Sequence, residues 1–297
     1  MQLTLGPVLY HWPAEQLIDF YARIADEAPV DRVVIGEAVC SKRRPFYEVH
    51  LPSIAERLAR GGKEVVYASL ALITLRHERR AERELARSGL SLEINDLTLL
   101  GLIGPQASFS VGPLVNTYNE GTLAFLAGQG AAHVCLPPEL PLSSVEVLAR
   151  AGEQHGVPIE VWAFGRVPLA ISARCYHARL AGRTKDSCQF ACADDPDGLS
   201  VDTLEGEPFL TVNGVQTLSE RYTNLVCDLP MLRQAGVTSL RLSPHSGDMV
   251  AVARLFRDVA DEAIDPDDGL AQLWAQAPER RFCNGFLFGD AGADWTH

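Results

Sequence analysis

Short β-branched runs alternate with helical patterns along this chain from end to end, and that alternation leaves few folds open. Strand candidates fall at residues 3–10, 32–35, 64–69, 91–94, 108–111, 133–136, 159–162 and 238–242. Between the first two, residues 13–27 place Leu17, Phe20, Tyr21 and Ile24 on one helical face, which makes a βα unit. Helix punctuation recurs downstream. Gly61-Gly62 stops a helix over 51–60, Ser143 with Glu146 reads as a capping box, and Gly236 closes a helix over 229–235. Eight strands with intervening helices predict an α/β fold, a (β/α)8 TIM-like barrel. The length of 297 residues suits one such domain over 1–297. The alternation fails only between about residues 165 and 223, where Gly, Pro and polar residues crowd around short strand-like pieces such as 208–216. That stretch is expected to be an insertion after strand seven.

Charge and hydropathy narrow the function classes. With 38 acidic against 26 basic side chains the net charge is −12, which opposes binding to phosphate backbones, so nucleic acid is not expected as a partner. The start, Met1-Gln2-Leu3-Thr4-Leu5-Gly6-Pro7, has no basic leader followed by an apolar stretch, and no apolar run approaches the ~20 residues that span a bilayer. A cytoplasmic chain with no membrane span is the expectation.

Seven cysteines in a reducing compartment are kept for packing, catalysis or metal rather than for disulfides. Cys175, Cys188 and Cys192 fall inside the expected insertion, in Arg174-Cys175-Tyr176-His177 and Ser187-Cys188-Gln189-Phe190-Ala191-Cys192. Cys40 follows the second strand, in Gly36-Glu37-Ala38-Val39-Cys40, so in a barrel it emerges from the same C-terminal rim as the insertion. Four thiolates suit a tetrahedral zinc or an iron–sulfur cluster, since soft ligands select both. Structural zinc usually takes two close pairs; only Cys188 and Cys192 are close here, which tilts the choice toward a cluster. The three-cysteine spacing of radical enzymes that cleave S-adenosylmethionine is missing. Cys135 and Cys227 read as small buried hydrophobes, and Cys283 is left open between the two roles.

The block Glu160-Val161-Trp162-Ala163-Phe164-Gly165-Arg166-Val167-Pro168-Leu169-Ala170-Ile171-Ser172-Ala173-Arg174-Cys175 resembles the signature of the collagenase-like peptidase family, whose catalytic type is unassigned. The short length, Cys40 and the three later cysteines narrow the resemblance to the branch that serves ubiquinone biosynthesis without oxygen. It extends from Gly6-Pro7 to Cys283-Asn284-Gly285-Phe286. The resemblance implies a four-iron, four-sulfur cluster (4Fe-4S) held by Cys40, Cys175, Cys188 and Cys192. It also implies a heterodimer with a UbiU-like protein, contact with a lipid-carrier accessory protein of the same pathway, and a part in ring hydroxylation of ubiquinone precursors with prephenate as oxygen donor. No catalytic residue is assigned. The alternatives are a collagenase-like peptidase and a zinc-stabilised, non-catalytic binding subunit.

Other residues carry weaker signals. Glu37, Asn95, Asp96, Asn116, Glu139 and Glu160 stand at expected strand ends and could line a pocket, though each alone is more often a cap or a hydrogen-bond satisfier. Arg166 and Arg174 flank the cysteine segment and could bind an anion or offset cluster charge. Arg76, Arg79, Arg80, Arg83 and Arg87 mark a solvated outer helix, with docking to an acidic partner as the lesser reading. Gly128-Gln129-Gly130 precedes a strand instead of following one, so it reads as a helix stop rather than a phosphate loop. Neither a Gly-x-Ser-x-Gly elbow nor a His-Glu-x-x-His pair occurs, which disfavours peptidase chemistry.

Overall fold

The computed structural model describes residues 1–104, 107–276 and 281–297. In chain order it begins β1 (Gln2–Leu5), α1 (Ala14–Glu27), β2 (Arg32–Ile35), α2 (Leu51–Arg60), β3 (Glu64–Ala68), α3 (Arg76–Ala86), β4 (Leu92–Ile94) and β5 (Phe109–Val111). Then come α4 (Glu120–Gly128), β6 (Ala131–Cys135), α5 (Leu142–His155), β7 (Ile159–Ile171), α6 (Tyr176–Leu180), β8 (Leu199–Asp202), β9 (Pro208–Asn213) and β10 (Gln216–Asn224). The chain ends with α7 (Leu229–Gln234), β11 (Ser239–Leu242), α8 (Met249–Ala260), α9 (Pro266–Gln276), β12 (Phe282–Cys283) and α10 (Gly285–Phe288). Strands β1 to β7 pair in sequence, all parallel, and β11 bonds to both β7 and β1, closing an eight-stranded barrel. The (β/α)8 expectation holds. β1 stops at Leu5 rather than running on to residue 10, because Pro7 has no amide to give a neighbouring strand.

Alternation along the strands sorts the barrel into two cores. Leu3, Leu5, Val33, Ile35, Ile94, Val134 and Leu240 face outward and pack with helix residues such as Ile24, Leu58 and Phe256. Each such side chain contributes roughly 1.5–3 kcal/mol by leaving water. The inward set is different. Towards the C-terminal rim, Val34, Val66, Ala68 and Trp162 form an apolar plug. Below it lies Arg241, 1% exposed, whose Nη1 and Nη2 donate to Glu93 at 3.0 and 2.5 Å and whose Nε donates to Glu160 at 2.5 Å. His133 Nε2 stands 3.6 Å from the other Glu160 oxygen. Burial alone would raise the Glu160 pKa, but Arg241 and His133 hold it below the ordinary carboxylate range. Burial depresses the His133 pKa.

The insertion is built on β7, which continues past the barrel wall. Residues 164–171 pair antiparallel with β10, and β9 and β8 add two further antiparallel strands. Gly165 is where the strand leaves the barrel: its φ is +111°, and a Cβ there would stand 2.6 Å from Ser243 Cβ. The helix stops at Gly61 and Gly236 hold, with Gly61 at the C-cap of α2 and Gly236 at φ +90° just past α7. The capping box at Ser143 does not form. Pro141, extended at ψ 158°, starts α5 at Leu142, so Ser143 already lies within the first turn and caps nothing. α3 exposes its four arginines, and Arg87 at its C-cap, as expected, and turns two carboxylates, Glu78 and Glu82, inward.

Candidate functional site: four thiols around a buried arginine

The first arm of the site is the loop after β2. Glu37, 3% exposed, accepts from Val39 N at 2.7 Å, Cys40 N at 3.0 Å and Tyr47 Oη at 2.7 Å, so one carboxylate shapes the turn that presents Cys40. The 3-10 turn that follows (Ser41–Phe46) is gripped by α3: Ser41 Oγ donates to Glu78 at 2.7 Å, and Arg44 pairs with the buried Glu82. Lys42 Nζ then crosses to the insertion, donating to the carbonyl oxygens of Lys185 at 2.7 Å and Asp186 at 3.1 Å.

The insertion supplies the second arm. Cys175 sits at the N-cap of α6, its sulfur accepting from Ala178 N at 3.4 Å. Between Cys188 and Cys192 the backbone doubles back through two consecutive left-handed residues, Gln189 (φ 47°) and Phe190 (φ 53°). Neither is glycine, so this knuckle stores strain of a kind that persists where surrounding contacts enforce it. His177 Nε2 lies 2.9 Å from Asp195 Oδ2, linking the segment after Cys175 to the segment after Cys192. Trp12 Nε1 donates to Pro196 O at 2.7 Å, and Asp197 accepts from Ser246 N and Oγ at 2.8 and 2.6 Å, so two further rim loops anchor the same stretch.

The two arms meet on one apolar floor. Cys175 belongs to the cluster of Leu9, Ala38, Val39, Val167, Ala178 and Val215, and Cys40 and Cys188 pack against it. Cys192, 8% exposed, faces Arg43. Arg43 is itself 1% exposed; Nη1 donates to Leu9 O at 2.9 Å and Nη2 to Asn213 Oδ1 at 2.8 Å. Its Nε has no partner, and neither do Nδ1 of His11 and Oε1 of Gln216 beside it. Burial would lower the Arg43 pKa, but Glu37, Cys192 and Cys40 outweigh it and keep the guanidinium charged. The Cys40 and Cys175 thiols are pushed up by burial. His11, in edge contact with Phe46 and tilted against Phe190, is pushed down to about 4 by burial and Arg43.

Soft, free thiols, two buried (Cys175 and Cys192) and two half-buried (Cys40 and Cys188), beside a fixed cation suit the ligand set of an iron–sulfur cluster. Among the described residues no three Cys, His, Asp or Glu side chains converge closely enough to hold a single metal ion. A tetrahedral zinc would need its sulfurs about 3.8 Å apart, given Zn–S bonds of roughly 2.3 Å. A four-iron cluster puts each thiolate on a different iron and so spreads them further. The donor set fits the cluster better than the zinc.

The remaining candidates divide cleanly. Asn95 is buried and bonded to Ser69 and Glu93; Asp96 caps the turn at Thr98; Asn116 is exposed in a left-handed turn. Glu139 accepts from Tyr118, while Glu160 lies inside the barrel rather than at its C-terminal rim, because it is the second residue of β7, level with Ser239, where Arg241 Nε reaches it. Arg166 is committed to Thr211 Oγ1 and to carbonyls of β10, and Arg174 is exposed. Cys135 is fully buried beside the Arg241 network; Cys283 is buried against Thr223, which gives that undecided thiol a packing role. Cys227 is half-buried near Asp267, its thiol pushed up to about 12 by burial and that carboxylate. Sequence reasoning missed Arg43, Lys42 and Asn213, although a basic cluster directly after Cys40 was there to be read. A groove of about 660 Å³ lies at the opposite end of the barrel, between α5 and α7, and holds no cysteine.

Comparison with known proteins finds that the sequence profile of peptidase family U32 matches residues 14–297. A solved enolase from Agrobacterium radiobacter, a putative galactarate dehydratase bound to sodium and L-malate, aligns with a TM-score of 0.36 at 15% identity. The alignment covers 53% of this chain and 44% of the enolase, so the chain spans less than half the length of that relative. Among the described residues no helix is long and apolar enough to cross a membrane.

Proposed function

The chain belongs to peptidase family U32, and from that footing we propose that it is the iron–sulfur subunit of an oxygen-independent hydroxylation system in ubiquinone biosynthesis, a UbiV-type protein acting with a UbiU-like partner. One observation carries the cluster: Cys40 from the β2 loop and Cys175 and Cys188 from the insertion share an apolar floor, and Cys192 and Cys40 stand beside the buried cation of Arg43. These four would hold the 4Fe-4S group. When bound, such a group supplies one-electron chemistry or a rigid fold for its loop, and four protein thiolates leave no iron open to substrate. The chain's own residues do the rest. Glu37 and the α3 carboxylates fix the Cys40 turn, Lys42 ties it to the cysteine loop, and Phe46 and His11 of one arm pack against Phe190 of the other. The pathway, the UbiU-like partner, a lipid-carrier accessory protein and prephenate as oxygen donor rest on the resemblance of the cysteine pattern to that branch of the family.

Anaerobic purification tests the cluster: brown protein with about four iron and four acid-labile sulfide per chain is expected. Colourless protein carrying one zinc would replace it with the binding-subunit alternative. For the pathway, cells lacking the gene are expected to lose ubiquinone during growth without oxygen, and unchanged quinone would remove the hydroxylation role. The peptidase alternative has less support, since Glu37, Asn95, Asp96 and Glu160 are each spent on backbone, amide or ion-pair bonds.

A further inference from the structure

We infer that Arg43 is the positioning residue that sets the reduction potential of the cluster, an inference that rests on the cluster reading above. Its guanidinium is fixed from two sides, by Leu9 O and Asn213 Oδ1, in a slot that Gly214 keeps open: a Cβ at that left-handed position (φ +64°) would stand 2.6 Å from Arg43 Nη2. A cation held this way cannot swing to solvent. Two of its nitrogens are engaged and the third, Nε, is buried with no acceptor, on the side chain that also faces Cys40 and Cys192. Buried donors are rarely left without a protein acceptor, so this N–H is available to a group held by the neighbouring thiols.

A cluster ligated by four thiolates is an anion, and taking one electron from an external donor makes it more negative. A fixed positive charge, and an N–H donated to sulfur, both favour the more negative state and so raise the potential. No other Arg or Lys side chain among the described residues is both fully buried and next to the thiols: Lys42 reaches over them to backbone carbonyls, and Arg183 donates to Cys188 O from an exposed position. Arg166 and Arg174, the flanking arginines that sequence suggested for charge offset, are respectively committed to β10 and exposed to solvent.

The test is a dithionite titration of anaerobically purified full-length protein, with the reduced cluster followed by electron paramagnetic resonance. Arg43→Met is expected to disfavour reduction at least tenfold, about 59 mV for a one-electron couple, and Arg43→Lys to recover most of it. Asn213→Asp is nearly isosteric and neutralises the guanidinium in place; it is expected to lower the potential in the same direction, and it carries the test if Arg43→Met fails to fold. Wild-type midpoints in both Asn213→Asp and whichever Arg43 variant folds overturn the inference. Iron-free wild-type protein would instead remove the cluster reading, and is seen before any variant is compared.

Discussion

Among the described residues two arginines, Arg43 and Arg241, are almost wholly buried, and they differ in how their guanidinium nitrogens are partnered. Arg241, in the barrel interior, has every guanidinium nitrogen donating to a carboxylate, two to Glu93 and one to Glu160. Arg43, at the C-terminal rim, has a carbonyl and an amide oxygen for partners, one nitrogen unclaimed, and thiols for neighbours. The first guanidinium is saturated, with charge matched to charge, although Glu160 Oε2 and both His133 nitrogens beside it have no hydrogen-bond partner. The second is open, a cation with one carboxylate, Glu37, nearby and with Cys192 and Cys40 as its other neighbours of potential negative charge. A guanidinium saturated by carboxylates holds a fold together, whereas one with a buried N–H to spare can still take on an acceptor.

The sharpest way to break this comparison is to remove each cation. Arg241→Met strands two carboxylates in the barrel and is expected to cost about 3–5 kcal/mol in urea unfolding; a loss under about 1 kcal/mol would show that the interior network is hydrated and loosely held. Next come the sulfurs. Alanine at Cys40, Cys175, Cys188 or Cys192 is expected to cut iron per chain several-fold after anaerobic purification, whereas Cys135→Ala and Cys227→Ala leave it near wild type. Equal losses at all six would erase the distinction between ligands and packing thiols. A smaller effect tests how the rim is held. Glu78→Gln weakens the carboxylate's bonds to Ser41 Oγ, Thr74 N and Leu75 N, and is expected to cost about 1 kcal/mol, within the range for a lost cap, with faster amide exchange in the 3-10 turn after Cys40. The smallest concerns pH. His11 is depressed to about 4 in the folded state against an ordinary 6.5, so the unfolded chain binds its proton first. The contribution of neutral His11 is therefore complete above pH 6.5 and is lost progressively as pH falls toward 4. Thermal unfolding of His11→Phe should show a shallower decline across that window than wild type, and parallel profiles would mean that the imidazole is solvated.

Sequence carried the barrel because its staves are short, β-branched and punctuated, and each can be read locally. The seventh strand shows the limit. Its first four residues were legible, yet Gly165 and Pro168 read as breakers, and only the register with β10 shows the strand passing through them with irregular pairing. Glu160 looked like a rim residue because strand ends are where carboxylates act; its partner Arg241 lies 81 positions on, beyond any local pattern. The cysteines were legible as a set because thiols are scarce and their intervals unusual. Arg43 was not, since its meaning comes from Asn213 and Leu9, brought in from 170 and 34 residues away.

The unbroken course of β7 has a mechanical consequence. A single hydrogen-bonded spine of 13 residues serves both as a barrel stave and as the root of the outer ribbon that carries Cys175. Force applied to the ribbon is delivered along β7, through its bend at Gly165, into the seam where β11 locks the cylinder shut. Tugging on one end should therefore loosen the other, and the two should melt as a unit.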